Sequence, residues 1–392
     1  MRTTLYLLLF LPLLLNAQGG TEIYVFDLNK KGDQYQLINA QNLSENNGYD
    51  NQPSFLDEQT LVYASTRNEQ TDIAYHNIIS GEKKWISNTE NGSEYSPLKI
   101  PNQDALSAIR LDKDGKQLLY SYDIKTGAST PIIEDLVIGY HVWANNNTMV
   151  SFVLGDQSSL VVTNTKKNKH KTIEKNIGRA LFKIPGTDLV SYISKKNSQW
   201  EIRSLNPKSG KTKKITHTLE ASEDMIWTPD GTILMGKGNK LYQFNPKTDT
   251  EWTKIASLEK EYLNNISRLA VNPSGTKLAV VVNESPETIV QKQLDAYNEG
   301  DIKAFMATFS DGITLYNFPE TVSLSSKALM EANFGGFFDQ YPDLHVEIDS
   351  RIVIGNKVID EERGTYADKT FHAVAIYEVN HGKITKVTFI RK

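Results

Sequence analysis

Between residues 50 and 283 the chain alternates apolar and polar positions at period two, in short runs separated by turns rich in Gly, Asn, Asp and Pro, the mark of half-buried β-strands. Six segments repeat one order, an apolar stretch, a polar turn and a second apolar strand, at 53–65, 97–109, 141–153, 180–193, 225–235 and 268–282. Anchored on Leu61, Leu106, Met149, Leu189, Ile233 and Leu278, the repeats are spaced by 45, 43, 40, 44 and 45 residues, a period that predicts propeller blades. The turns Trp227-Thr228-Pro229-Asp230-Gly231 and Val271-Asn272-Pro273-Ser274-Gly275 fit, because Pro presets the bend and Gly admits positive φ. Five repeats predict four strands each, and the sixth stops after two, at Val282. Two further strands, at 23–28 and 35–38, precede the first repeat and complete a total of 24. The expectation is an all-β six-bladed propeller over 21–283, its last blade closed by the N-terminal strands so that no edge stays open. Trp143 and Trp227, on inner-strand anchors, are expected to pack between blades, and Arg67 with Asp72 to lock a hairpin.

From residue 285 the period changes to that of helices. Ser285-Pro286-Glu287 combines a hydroxyl cap, a proline in the first turn and an acid at the positive dipole end. Ile289, Val290, Leu294 and Tyr297 follow on one face, Gly300 stops the helix and Asp301 caps the next, which carries Ile302, Phe305, Met306 and Phe309. After a strand at 313–318, a third helix is predicted to start near Ser325 or Ser326 and to carry Met330, Phe334, Phe337, Phe338 and Tyr341. Gly335-Gly336 inside it costs about 1 kcal/mol per residue relative to Ala and predicts a break or a close backbone approach. Strands are predicted at 345–354, 358–366, 370–379 and 384–391. The sum is a C-terminal α+β cone over 285–392, a curved antiparallel sheet wrapping helices.

Composition narrows the chemistry. Among 392 residues there is no Cys, which excludes disulfides, thiolate metal sites and a thiol nucleophile. Lys+Arg 43 against Asp+Glu 47 argues against a nucleic-acid partner. Residues 285–392 hold 11 basic and 16 acidic residues, so the acidity sits in the cone. At the start, Arg2, the apolar run from Leu5 to Leu15 and Asn16-Ala17-Gln18 predict a signal peptide over 1–17 and an exported chain, periplasmic or secreted, with no integral membrane span in its mature form.

Ser65-Thr66-Arg67-Asn68-Glu69-Gln70-Thr71-Asp72-Ile73 and the Pro229-Asp230-Gly231 turn resemble the TolB-type, WD-like propeller family. Gly300-Asp301-Ile302, Phe309-Ser310-Asp311 and His381-Gly382-Lys383-Ile384 resemble the nuclear transport factor 2-like cone, in its SnoaL-like and ketosteroid-isomerase-like branch. That second resemblance implies a pocket, and in the isomerases an aspartate base, a tyrosine and a protonated aspartic acid. Counted without gaps, those three posts fall on Asn317, Gln293 and Val374, none of which can do the work. The cone is therefore expected to shelter a guest without the proton-handling groups of such isomerases.

If Val374 faces the cavity, so do His372 and Ile376. Pairing Thr365 with Thr370 adds Glu361 and Arg363, with Arg363 opposite His372. Glu361, Arg363 and His372 beneath Phe334 and Phe338 would suit a ligand with one polar end, and Glu361 and His372 are the candidates for catalysis. Asp360-Glu361-Glu362 cannot all point one way. No metal-ligand spacing and no cofactor motif is found. The expected function is an exported, non-catalytic binding protein, its propeller recognising a protein or envelope partner and its cone holding a small apolar ligand or mediating homodimerisation. The alternative is a SnoaL-like or steroid-isomerase-like enzyme acting on a small apolar carbonyl compound. A serine peptidase is excluded, since no Gly-x-Ser-x-Gly elbow occurs.

Overall fold

The computed structural model describes residues 20–46, 48–68, 70–258, 264–283, 285–380 and 382–391. The signal peptide expected at 1–17 lies outside the described residues, as does His381 of the last hairpin.

The period-two pattern becomes six four-stranded antiparallel sheets. Five follow the chain in order, from the sheet opened by Asp50–Phe55 to the one closed by Thr253–Ser257. The sixth joins the two ends of the region, in the order Gln34–Asn42, Thr21–Lys31, Lys277–Asn283, Asn264–Val271. Ile23 pairs with Val281 and Phe26 with Leu278, so apolar residues from distant parts of the chain share one ladder. The N-terminal strands outrun their apolar cores because polar pairs such as Asn29 with Gln36 extend the ladder.

The opening strands of neighbouring sheets touch one another in sequence order, Asp50–Phe55, Gly92–Lys99, Ile138–Asn145, Phe182–Lys183 and Met225–Trp227, then Asn264–Val271, which touches Asp50–Phe55 again. Leu61, Leu106, Met149, Ile233 and Leu278 are wholly buried, whereas Leu189 is half-buried and Val190 takes the interior place. Two ties run between sheets: Trp143 Nε1 donates to Ser107 Oγ and Trp227 Nε1 to Ser191 Oγ, both at 2.8 Å. Arg67 closes its hairpin on Asp72 through Nε and Nη2 at 3.1 and 2.9 Å.

In the C-terminal domain, helix α1 spans Pro286–Glu299, α2 Ile302–Ala307 and α3 Lys327–Gln340. Ser285, Asp301 and Ser326 cap them, accepting from the amides of Thr288, Ala304 and Leu329. Gly300 ends α1 at φ 66°, a left-handed conformation that disfavours a side chain. Contrary to expectation α3 runs unbroken through Gly335-Gly336, and a Cβ on Gly335 would meet Ile302 at 3.7 Å, an ordinary contact.

The six strands lie in the order Thr321–Leu324, Phe309–Asn317, Lys383–Arg391, Lys369–Asn380, Lys357–Tyr366, His345–Ile354. Phe309–Asn317 runs parallel to Lys383–Arg391; the other pairs are antiparallel. Thr321–Leu324 is almost wholly exposed, which is why no alternation announces it. The helices cover one face of the sheet, and Val290, Phe305, Met330, Ala375 and Val387 form part of the core between them.

Candidate functional site

The site depends on which face of the central hairpin looks inward. Its register is the expected one: Thr365 pairs with Thr370 and Arg363 with His372. Its face is the opposite one. Asp360, Glu362 and Gly364 are buried on one strand and Ala373, Ala375, Tyr377 and Val379 on the other, while Glu361 and Arg363 are exposed and Val374 and Ile376 half-buried. A shift of one residue in the assumed orientation turns over every side chain at once. Alternation could not resolve the choice, because Val374 and Ile376 on one face are more apolar than Ala373 and Ala375 on the other.

The inward face borders a hollow of about 750 Å3 between the sheet and the helices. Gln293 on α1, Phe334 on α3 and His372 on the sheet line it as expected residues. Asn317 is exposed at the end of its strand, and Phe338 packs into the core, 5.2 Å from the ring of Tyr297 and 5.5 Å from that of Phe305. Arg363 is spent outside, on Glu347 and Asp349 at 2.8 and 3.0 Å. The trio Glu361, Arg363 and His372 is thus not a pocket patch; of the three only His372 reaches the hollow. Aromatic rings dominate the wall, among them Tyr297, Phe305, Phe337, Tyr366 and Phe389. Gly364 makes room for one more: a Cβ there would fall 2.1 Å from the ring of Phe371.

Into this apolar wall project Glu362 and Tyr377. Glu362 is 7% exposed and lines the hollow. Tyr377 donates its hydroxyl to Glu362 Oε1 at 2.8 Å, and no other hydrogen-bond donor among the described residues reaches that carboxyl. Burial pushes the Glu362 carboxyl up to about 7, with the nearby charge of Asp360 adding to the push, while Tyr377, Arg391 and Arg351 pull the other way. Burial and the adjacent carboxylate hold the Tyr377 phenol well above its ordinary value, so it stays a donor. Asp360, one pleat away, meets a different fate. Arg351 clamps it from Nε and Nη2, both at 2.7 Å, and is itself held by Gln291 at 2.7 Å.

Gln293 completes the polar lining: its Oε1 is buried in the wall without a hydrogen-bond partner among the described residues. None of the three expected posts, Asn317, Gln293 and Val374, holds an acid, but the wall of the cup is not without one. A buried carboxyl, Glu362, pushed up to about 7 by desolvation, faces the hollow one residue from the expected candidate Glu361. The signal was the row Asp360-Glu361-Glu362, in which parity alone decides whether one acid or two turn inward. Among the described residues no three His, Asp or Glu side chains gather as a metal site, and no helix is long and apolar enough to cross a membrane.

Comparison with known proteins agrees with the domain seen here. Residues 290–387 match the family model of the SnoaL-like domain. A cystatin-fold protein from Novosphingobium aromaticivorans is similar at 24% identity, over 28% of this chain and 100% of that one, with a TM-score of 0.27. An NTF2-like protein from Cytophaga hutchinsonii is similar at 15% identity, over 28% and 90%, with a TM-score of 0.24. The oligogalacturonate lyase of Vibrio parahaemolyticus is similar at 16% identity, covering 64% of this chain and 83% of that one, with a TM-score of 0.46. No curated protein sequence matches the chain. The C-terminal portion thus carries a SnoaL-like domain behind a mostly β region of six four-stranded sheets.

Proposed function

We propose that the C-terminal domain binds a small, mostly apolar carbonyl compound and that Glu362 moves a proton on it. The observation that carries this reading is the placement of Glu362, a buried carboxyl with a single hydrogen-bond partner among the described residues, at the wall of an aromatic hollow of about 750 Å3. A base works best when its pKa lies near the working pH, and burial sets that value here. As carboxylate, Glu362 takes a proton from the carbon beside the carbonyl; as acid, it returns that proton to another carbon of the resulting enolate. Atoms balance and the product is an isomer. The Tyr377 hydroxyl holds the carboxyl in place between the two steps.

The six sheets serve in this reading as the blades of one closed propeller, a closure supported by the circuit of contacts among their opening strands. We propose further that the chain is exported and that the propeller presents it to a protein or envelope partner. Simple binding without catalysis is the competing use of the hollow.

The experiment uses the full chain with a β,γ-unsaturated cyclic ketone as probe, following thermal shift and the ultraviolet absorbance of the conjugated product together. Turnover that is lost in Glu362→Gln while the thermal shift persists supports proton transfer. A shift without turnover in the parent chain leaves only binding.

A further inference from the structure

The six repeats place one side chain each in, or just before, the opening strands that touch one another in a circuit: Tyr49, Tyr95, Tyr140, Arg179, Asp224 and Arg268. Their spacings of 46, 45, 39, 45 and 44 residues follow the repeat, so they occupy matching places in successive sheets. They also meet. Arg268 Nη1 donates to Asp224 at 2.8 Å and Nη2 to the Tyr140 hydroxyl at 2.9 Å, reaching the sheet three places away. Arg179 donates to the same Asp224 through Nε at 3.1 Å and Nη2 at 2.8 Å. Tyr49 and Tyr95 stack edge to face with ring centres 6.0 Å apart, and Tyr140, Arg268 and Arg179 all lie close enough to bear on the Tyr49 phenol.

We propose that this layer is a binding site for a small monocarboxylate with an apolar body. Three observations carry it. First, the charges do not cancel: Arg179, Arg268 and Lys195 face Asp224 and Glu223, Glu223 being shared between Lys195 at 2.9 Å and Arg179 at 3.6 Å, and three positive charges against two negative leave one unmatched in the group. Second, donors remain. Among the described residues Arg179 Nη1, Arg268 Nε and the hydroxyls of Tyr49 and Tyr95 have no hydrogen-bond partner. Third, the layer is divided by sheet: the first three sheets contribute the tyrosines and the last three the two arginines and Asp224, with Arg268 reaching across to lie over the Tyr140 ring at 5.2 Å. A planar carboxylate offers two acceptors to a guanidinium fork, and the rings receive the rest of the molecule. A phosphate dianion would exceed the single unmatched charge and face Asp224. The site stands on contacts within the β-sheet region and is independent of the proton chemistry read in the C-terminal domain.

The test is calorimetric titration of the full chain with benzoate, against benzamide and inorganic phosphate at matched ionic strength. Saturable benzoate binding at least about tenfold tighter than benzamide is expected, since charge-assisted bonds carry the difference. Arg268→Gln should weaken it about tenfold or more. Should that variant fail to fold, Tyr49→Phe decides, because it removes a hydroxyl that holds no other part of the described protein: benzoate binding should fall several-fold with the unfolding midpoint unchanged. Equal binding of benzoate and benzamide, tighter binding of phosphate, absence of saturation, or indifference to Tyr49→Phe would each overturn the proposal.

Discussion

Two buried carboxylic acids, one in each region, show what separates a structural group from a chemical one. Asp50, in the first sheet, is 0% exposed, and burial pushes its carboxyl up to about 7. Glu362, in the C-terminal sheet, reaches the same value for the same first reason. Their surroundings differ. Ser65 donates to Asp50 at 2.5 Å and Asn46 at 3.2 Å, so the carboxyl ties one strand to the loop before it. Glu362 has Tyr377 and then open space. A raised pKa reports burial; a raised pKa beside a hollow reports a group that can meet a guest.

The largest expected break in this comparison is kinetic. Glu362→Gln should lower turnover of the ketone probe by at least about a hundredfold, the usual size of a lost general base, whereas Asp50→Asn should leave the rate of folded protein unchanged. Steady-state assays at pH 8 check both. Next comes the clamp beside the site. Arg351→Met strands the Asp360 carboxylate, which is 1% exposed, and should cost about 3–5 kcal/mol in urea unfolding of the C-terminal domain. Breaking Lys30–Asp230, where both side chains are more than a third exposed, should cost no more than about 1 kcal/mol.

A third effect follows from linkage. The Glu362 carboxyl is raised in the fold from 4.5 to about 7, so the folded state holds its proton more tightly than the unfolded chain. That contribution is complete below about pH 4.5 and is lost as pH rises through about 7. The domain should therefore be less stable at pH 8 than at pH 5 by on the order of 3 kcal/mol from this group, and Glu362→Gln should flatten the dependence. Asp50→Asn should flatten the corresponding loss in the β-sheet region, and a ligand in the hollow should alter the first dependence alone. Smaller still, Tyr377→Phe removes a donor to the carboxylate, which should move the midpoint of the pH–rate profile upward, by about one unit for one hydrogen bond. At the low end, Glu361→Gln on the exposed outer face should change unfolding free energy by less than about 0.5 kcal/mol and leave the rate alone.

Much of the fold was legible because its signals are local and redundant. Repeat spacing, the Pro229-Asp230-Gly231 and Pro273-Ser274-Gly275 turns and the helix caps expected at Ser285, Asp301 and Ser325 or Ser326 each specify backbone within a few residues. The strand Thr321–Leu324 was not, since it buries almost nothing and pairs only because Phe309–Asn317 offers it an edge. The site was half legible. Phe334 could be placed from the helix face and Gln293 from the resemblance, whereas His372 shares the parity of Val374 and, though exposed, still borders the hollow. Glu362 could not, because pairing fixes which residues stand opposite and says nothing of which side they face. With Val374 and Ile376 outside and Ala373 and Ala375 inside, hydrophobicity pointed to the wrong face; a polar residue at 374 would have settled the parity.

The most direct measurement is a carbon-13 titration of the Glu362 side-chain carboxyl in the full chain, assigned by its loss in Glu362→Gln and repeated with the ketone probe present. A midpoint near 7 that shifts when the probe enters is the predicted result. A midpoint near 4.5, or one near 7 that ignores the probe, would contradict a proton-handling group facing an occupied hollow.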